Sequence, residues 1–222
     1  MKSTIDILKN YLLKSRRRYR DSFSLAYPFL QRGGKSVLDL GGWHMAVLSA
    51  PLASSVLATT LDIKDDWVEK TFDVPCKKVN ILDPEFSLEG KRFDLIFFLE
   101  VLEHLPPPTD LVMNRLRALL NPGGLLILSV PNLVYWRKRF TFFFFGKSPL
   151  KLADQRDVEG GYHHIRIYTY DECVSLLRRH GFIVHKCLSG NYRRGWYNTP
   201  FYWFEKLFKR LAHKLIFLAS VE

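Results

Sequence analysis

Short apolar runs separated by stretches with helical spacing set the pattern of this chain. The runs are rich in Val, Ile, Leu and Phe and end at polar or glycine residues, as buried strands of a parallel sheet do. Their alternation with helical stretches predicts an α/β fold in which helices cover both faces of a mostly parallel, seven-stranded sheet. The predicted strands are Ser36–Leu40, Ser55–Asp62, Lys77–Ile81, Phe93–Leu99, Leu125–Val130, Phe182–Leu188 and Leu215–Ser220.

Two of the predicted helices have clear ends. The stretch Thr109–Leu120 places its apolar side chains on one face and stops at the turn sequence Asn121–Gly124. Thr169 and Glu172 have the spacing of a capping box, in which each side chain bonds the backbone of the other residue at the start of a helix. Gly181 is placed to end that helix, because glycine adopts the left-handed conformation of a helix C-terminus without steric cost.

One domain, 1–222, is expected, with a cap and two insertions around the sheet. Its length of 222 residues fits one well-filled domain and is short for two. Residues 1–32 predict a helical N-terminal cap, and residues 33–130 hold the first five predicted strands. Residues 131–168 and 190–213 interrupt the sheet pattern and are interpreted as insertions.

Composition narrows the cellular setting. The three cysteines, Cys76, Cys173 and Cys187, have neither paired nor metal-type spacing, which fits a reducing compartment. The first residues lack the apolar core of a signal peptide, and no apolar run approaches the roughly 20 residues that span a bilayer. We therefore expect a cytoplasmic protein without a transmembrane segment.

The formal net charge of +11 indicates attraction to a polyanion, either nucleic acid or an anionic membrane surface, unless it only solvates the protein. Aromatic and basic residues stand together in the segments 135–145 and 196–210. Packing between helices is one interpretation of these aromatic side chains. Peripheral contact with an anionic membrane is another, because Trp and Phe enter the headgroup region beside Lys and Arg. Nucleic acid is less favoured, since no RNA-binding module is recognisable.

The most informative chemical signal lies where the first strand ends. Asp39 is followed by Gly41 and Gly42, and an apolar strand that runs into an acid and a glycine turn is how open α/β sheets build a nucleotide pocket. The turn has no G-x-G-x-x-G sequence, which argues against a nicotinamide dehydrogenase. Trp43 and Met45 stand where further glycines are expected, so Trp43 has to point away from the ligand or form a wall of its pocket.

Acids and glycines also follow the later strands in a fixed order, and with them the chain resembles the class I S-adenosylmethionine (SAM)-dependent methyltransferases over about residues 33–189. The resemblance implies a Rossmann-like fold, with 33–130 as the SAM-binding half and the two insertions on the acceptor side. In that family an acid after the second strand holds the ribose hydroxyls, and one after the third meets the adenine amino group. The cofactor-binding residues it implies are Asp39, Gly41, Asp62, Asp83, Leu99 and Glu100.

A group of carboxylates and histidines follows the fourth strand. Glu100, Glu103 and His104 are spaced so that a helix beginning there would place all three on one face. Together with His164 they can supply oxygen and nitrogen ligands to a divalent cation. The group looks like that of ubiquinone-biosynthesis O-methyltransferases and of enzymes that methylate the 2′-hydroxyl of small RNAs, which implies a Mg-type ion. Without a metal, His104 or His164 is the expected catalytic base, since an imidazole titrates near neutral pH.

The expected function is methyl transfer from SAM to an oxygen of a small-molecule, lipid-linked or glycan acceptor. An RNA 2′-O-methyltransferase and a non-catalytic protein that keeps the fold as a binding scaffold are the alternatives. The identity of the acceptor stays open, because the insertions rather than the fold determine it.

Overall fold

The structure, a computed structural model, describes residues 4–60, 65–146, 164–190 and 207–222. Its helices are α1 (Thr4–Leu30), α2 (His44–Ser49), α3 (Asp65–Phe72), α4 (Asp110–Ala118), α5 (Trp136–Phe145) and α6 (Tyr170–Arg179). Its strands are β1 (Ser36–Leu40), β2 (Ser55–Thr60), β3 (Cys76–Lys78), β4 (Phe93–Leu99), β5 (Leu120–Pro131), β6 (Ile183–Gly190) and β7 (Lys214–Ser220). Short 3-10 turns form at Leu102–His104 and Lys209–Leu211.

The strands form one seven-stranded sheet in the order β3-β2-β1-β4-β5-β7-β6. β7 runs antiparallel to β5 and β6, and the other neighbouring strands are parallel. The prediction of an α/β fold with a mostly parallel sheet is confirmed. The strand order reverses where β1 lies beside β4, and ligands of open α/β sheets bind outside the carboxyl ends of the strands at such a point.

The predicted bounds of β1 and β4 are confirmed to the residue, because both strands are short, mostly apolar runs with polar or glycine neighbours. The predicted start of β5 at Leu125 is wrong. The strand begins at Leu120, and the turn sequence Asn121–Gly124 lies inside it as a bulge opposite the start of β4. Gly123, with a φ of +71°, gives the chain the conformation that this bulge needs.

At the edge of the sheet, β3 covers Cys76–Lys78 instead of the predicted Lys77–Ile81. The chain turns away at Asn80, whose Oδ1 accepts a hydrogen bond from the Leu82 amide at 2.9 Å. β6 and β7 agree with prediction to within two residues.

The predicted helices are also present. α1 confirms the helical N-terminal cap, and α4 follows Thr109 as expected. Thr169 and Glu172 form the predicted capping box at the start of α6, with both reciprocal hydrogen bonds made. Gly181, with a φ of +75°, ends that helix.

Helices on both faces bury the sheet. Leu30 of α1 packs with Leu95 and Ile127 on one face. Met113 of α4 and Leu177 of α6 belong to the cluster on the other face. Within the described ranges, no helix combines the length and the apolar character needed to cross a bilayer. The carboxyl ends of β1, β4 and β5 therefore meet at one edge of a filled core.

Candidate functional site

The turn after β1 is built around a close approach between Gly41 and the loop that follows β4. A Cβ atom on Gly41 would lie 2.6 Å from Cγ2 of Val101, and the φ of Gly41 is +84°. Both features require glycine. The Gly41 amide donates to Oγ1 of Thr59 at 3.0 Å, which ties the turn to the end of β2. The turn is therefore fixed between its two neighbouring strands, at the point where the strand order reverses.

Asp39 supports this turn from inside the protein. Its side chain is 3% exposed, and Oδ2 accepts hydrogen bonds from the amides of Met45 at 2.7 Å and Ala46 at 3.4 Å. Burial raises the pKa of Asp39 to about 7, although both amides and the Arg18 cation act against that rise. The carboxyl group thus holds the first turn of α2 in place. A direct contact with SAM stays a prediction for this residue.

Trp43 lies in the core beside α3. Its side chain is 4% exposed and stacks on His44 with 3.9 Å between the ring centroids and on Phe72 with 5.1 Å. It belongs to a cluster of buried side chains that includes Val68. Met45 is fully buried in the cluster under α1. The two bulky residues that replace glycines in this turn therefore fill the interior of the protein.

Glu100 forms a buried ion-pair network at the end of β4. Its φ of +58° is in the left-handed region, which residues other than glycine rarely adopt. One carboxylate oxygen lies 3.4 Å from Nη1 of Arg18 and bonds the Lys214 ammonium, and the Ser129 hydroxyl donates to the other at 3.1 Å. Burial acts to raise the pKa of Glu100, but Lys214 and Arg18 hold it below its ordinary value. Arg18 is therefore a buried counter-ion and not part of a solvated basic face.

Three side chains of the predicted metal set converge beyond the ends of β4 and β5. Nε2 of His164 lies 3.9 Å from Oε1 of Glu103, and Nε2 of His104 lies 4.0 Å from the same oxygen. The two imidazole centroids are 5.0 Å apart. The Glu103 carbonyl accepts a hydrogen bond from the Ile165 amide at 2.8 Å, which holds the segment of His164 against this turn.

The prediction that Glu100, Glu103 and His104 share one helical face is wrong. Only the 3-10 turn Leu102–His104 forms, and the left-handed conformation of Glu100 directs its side chain to Arg18 and Lys214. Among the described residues the group of possible ligands consequently has three members, whose ligand atoms lie within 4.8 Å of one another.

Burial controls the charge of this cluster. Removal from water, together with the nearby Glu100 carboxylate, raises the pKa of Glu103 to about 8. Burial, followed by the proximity of His104, lowers the pKa of His164 to about 4. Near pH 7 the cluster therefore pairs a protonated carboxyl group with a neutral imidazole, which can accept a proton.

The three-ligand set fits a divalent cation in its chemistry. Glu103 is 0% exposed, and neither carboxylate oxygen has a hydrogen bond from another residue in the described part of the chain. Two imidazoles and one carboxylate suit a transition metal better than Mg²⁺, which prefers oxygen ligands. Glu100 does not fit the set, because Arg18 and Lys214 neutralise it.

Of the remaining predicted cofactor residues, the structure describes Leu99 and Asp83. Leu99 ends β4, whereas Asp62 lies outside the described residues. Asp83 is exposed, and its Oδ1 accepts a hydrogen bond from the Glu85 amide at 3.0 Å, so its side chain stabilises a turn. Asn80 comes sooner after β3 than Asp83, and its side chain likewise accepts a hydrogen bond from a backbone amide two residues on.

Two basic residues of the site were also missed, and the sequence has a signal for only one of them. Arg18 comes from α1 and Lys214 from the start of β7, both distant in sequence from Glu100. Only the packing of α1 and the antiparallel return of β7 bring them to the end of β4. A clue existed for Lys214 alone, as the polar residue that opens an apolar strand.

Comparisons with known proteins agree with this architecture. A family model described as a methyltransferase domain matches residues 11–186. The ubiquinone biosynthesis O-methyltransferase of Coxiella burnetii (strain Dugway 5J108-111) is 28% identical over 109 residues, which are 45% of this chain and 44% of that enzyme. The chain thus matches less than half the length of this curated relative.

Two solved structures share the fold at low identity. A putative SAM-dependent methyltransferase from Listeria monocytogenes superposes with a TM-score of 0.62 at 16% identity, over 92% of this chain and 98% of that one. Magnesium protoporphyrin IX methyltransferase from Synechocystis PCC 6803, with bound S-adenosylhomocysteine, gives a TM-score of 0.60 at 14% identity, over 100% of this chain and 89% of the other. With the family match over most of its length, the chain belongs to the family of methyltransferase domains.

Proposed function

We propose that this protein transfers a methyl group from SAM to a hydroxyl oxygen of a small-molecule, lipid-linked or glycan acceptor. The observation that carries the proposal is the juxtaposition of two features at one sheet edge. The Gly41 turn lies where the strand order reverses, between β1 and β4. The cluster of Glu103, His104 and His164 lies at the 3-10 turn that follows β4.

The cofactor belongs in the crevice at the Gly41 turn. When bound there, SAM supplies an electrophilic methyl group on its sulfonium. Gly41 keeps the turn free of a side chain beside the Val101 loop, and the backbone of Leu99 and Glu100, at the end of the neighbouring strand β4, would face the cofactor. Asp62 and either Asn80 or Asp83 are the proposed partners of the ribose and the adenine.

The histidine cluster belongs to the acceptor. A hydroxyl group is a weak nucleophile at neutral pH, and a neutral imidazole within hydrogen-bond reach removes its proton as the oxygen attacks. His164 is kept neutral, and His104 is its ring neighbour, so these two are the proposed catalytic residues. Glu103 orients His164 by accepting a hydrogen bond from one ring N–H as the site tightens around its substrate, which leaves the other ring nitrogen free to take the proton.

The name of one curated relative supports an oxygen acceptor. The matched Coxiella enzyme is named for ubiquinone biosynthesis and O-methylation, and a quinone precursor would be an acceptor of the lipid-linked class. Such an acceptor would be met at a membrane surface.

Labelled SAM tests the proposal and identifies the acceptor class. The protein is incubated with methyl-labelled SAM and with lipid, polar small-molecule or RNA fractions. We expect label in an organic-extractable or small-molecule fraction, and about a hundredfold lower kcat for His104→Gln and for His164→Gln. The exposed His185→Gln is the matched control. Label only in RNA would favour the RNA 2′-O-methyltransferase, and no label in any fraction would contradict the proposal.

The buried Glu103 carboxylate also favours a divalent ion as a second possibility at this cluster. A bound ion would polarise the acceptor hydroxyl and lower its pKa. Calorimetry with Mn²⁺ or Zn²⁺ measures binding independently of activity. Saturable binding that Glu103→Gln abolishes and Glu89→Gln leaves intact would support the three-ligand site, and absence of binding would exclude it.

A further inference from the structure

Helix α5 (Trp136–Phe145) exposes an aromatic face next to the proposed acceptor site. None of its side chains is buried among the described residues. Phe143 is 81% exposed, and Phe140, Phe142, Phe144 and Phe145 are each at least half exposed. An exposed aromatic surface of this density marks an interaction site in a protein of ordinary composition.

Several of the aromatic side chains lie on one side of the helix. Because a helix turns by about 100° per residue, Trp136, Phe140, Phe143 and Phe144 project on one side. The centroids of the Phe140 and Phe144 rings are 4.4 Å apart, and with Arg139 and Phe142 these four side chains line an open groove of about 450 Å³. Arg137 and Arg139 flank the aromatic side on either edge.

This arrangement identifies the kind of partner. Aromatic rings flanked by guanidinium groups can enter the boundary between headgroups and acyl chains while the arginines extend back to phosphates. The cations add attraction to an anionic surface, in line with the net charge of +11. We propose that α5 docks this protein on an anionic lipid bilayer, with the aromatic face buried in the headgroup region.

The way in which α5 is held on the protein would turn the histidine cluster toward the lipid bilayer. Asn132 precedes the helix, and its side-chain amide donates hydrogen bonds to the carbonyls of Arg210 and Ala212 at 2.8 and 2.7 Å. These bonds hold the segment before α5 against the residues that precede β7. Lys138 of α5 is close enough to His164 to contribute to the lowered pKa of that residue. Docking through α5 therefore brings the histidine cluster close to the membrane, where a lipid-linked acceptor would be presented.

Vesicle sedimentation tests this proposal without cofactor or acceptor. We expect the protein to pellet with vesicles of phosphatidylcholine and phosphatidylglycerol, at least tenfold more than with phosphatidylcholine alone, and to be released by high salt. Phe143→Asp with Phe144→Asp should abolish pelleting, and Arg139→Glu should weaken it. Leu111→Asp on α4 and Lys91→Glu at the amino edge of the sheet are matched controls that should leave pelleting unchanged.

Four outcomes would overturn the proposal. Three are no pelleting of the wild type, pelleting that the Phe143→Asp and Phe144→Asp variant retains, and a dimer in solution that this variant dissociates. The fourth is a drop in its melting temperature well beyond that of Leu111→Asp, which would show that α5 packs on the protein itself. Binding of S-adenosylhomocysteine by the variant is measured in parallel, so loss of docking and failure of the methyltransferase proposal are distinguished.

Discussion

Gly41 and Val101 approach so closely that a Cβ atom on Gly41 would lie 2.6 Å from the Val101 side chain. Gly41→Ala therefore combines a left-handed backbone with overpacking, and we expect a loss of about 2–4 kcal/mol in the free energy of unfolding. Gly90→Ala is the control, because Gly90 also has a positive φ, of +71°, but no atom near its Cβ position. It should cost about 1 kcal/mol. Urea denaturation measures both, and equal losses would contradict the packing argument.

Trp43 replaces a glycine of the family pattern but serves the core. Trp43→Gly should not improve the pocket. Removal of this buried side chain is expected to lower the free energy of unfolding by about 3–5 kcal/mol, whereas Phe72→Ala, at a side chain that is 38% exposed, should cost less. Chemical denaturation together with calorimetry of S-adenosylhomocysteine would test this. Tighter ligand binding by Trp43→Gly would show that the indole blocks the pocket.

The sequence predicted more of the fold than of the candidate site. β1 and β4 were predicted to the residue because their apolar runs end at an acid or a glycine. His164 was also predicted to join Glu103, because together they complete the metal-ligand set that the resemblance implied, and the structure places the two side chains together. The direction of Glu100 was not predicted, because it depends on one left-handed residue and on cations from α1 and β7. Local pattern does not determine such long-range pairing.

The contributions of Glu100 and Lys214 to stability are expected to depend strongly on each other, because the two side chains form an ion pair. Glu100→Gln leaves the buried Arg18 and the partly buried Lys214 without their counter-charge and should lower the free energy of unfolding by about 3–5 kcal/mol. The double variant Glu100→Gln with Lys214→Met should cost less than the sum of the single variants, by at least about 1 kcal/mol. Additive losses in urea denaturation would contradict the pair. Arg166 and Glu172, an exposed pair at 3.2 Å, provide a control cycle with weak coupling.

His44 should make the protein sensitive to acid. Burial, and next the Arg18 cation, lowers its pKa from 6.5 to about 3. Between these values the unfolded chain binds more protons, so stability falls as the pH decreases, by up to about 1.4 kcal/mol per pH unit. His44→Phe keeps an aromatic ring between Tyr19 and Trp43 but does not titrate. Denaturation from pH 6.5 to 4 should therefore show a shallower loss for the variant than for the wild type.

Asp39 changes the stability of the protein in the opposite direction over a similar pH range. Its pKa is raised by burial to about 7, so the folded state binds more protons and stability falls as the pH rises from about 4 to 7. The difference between wild type and His44→Phe cancels this contribution, because Asp39 is present in both. Parallel pH profiles of the two proteins would contradict the burial of His44.

The central claim is that the turn after β1 still binds SAM although Trp43 and Met45 replace glycines. Calorimetric titration with S-adenosylhomocysteine tests it without knowledge of the acceptor. We predict one site per chain with a dissociation constant in the micromolar range, weakened at least tenfold in Gly41→Ala and unchanged in Gly90→Ala. No binding to the folded wild-type protein at millimolar ligand would contradict the claim and leave a methyltransferase fold without its activity.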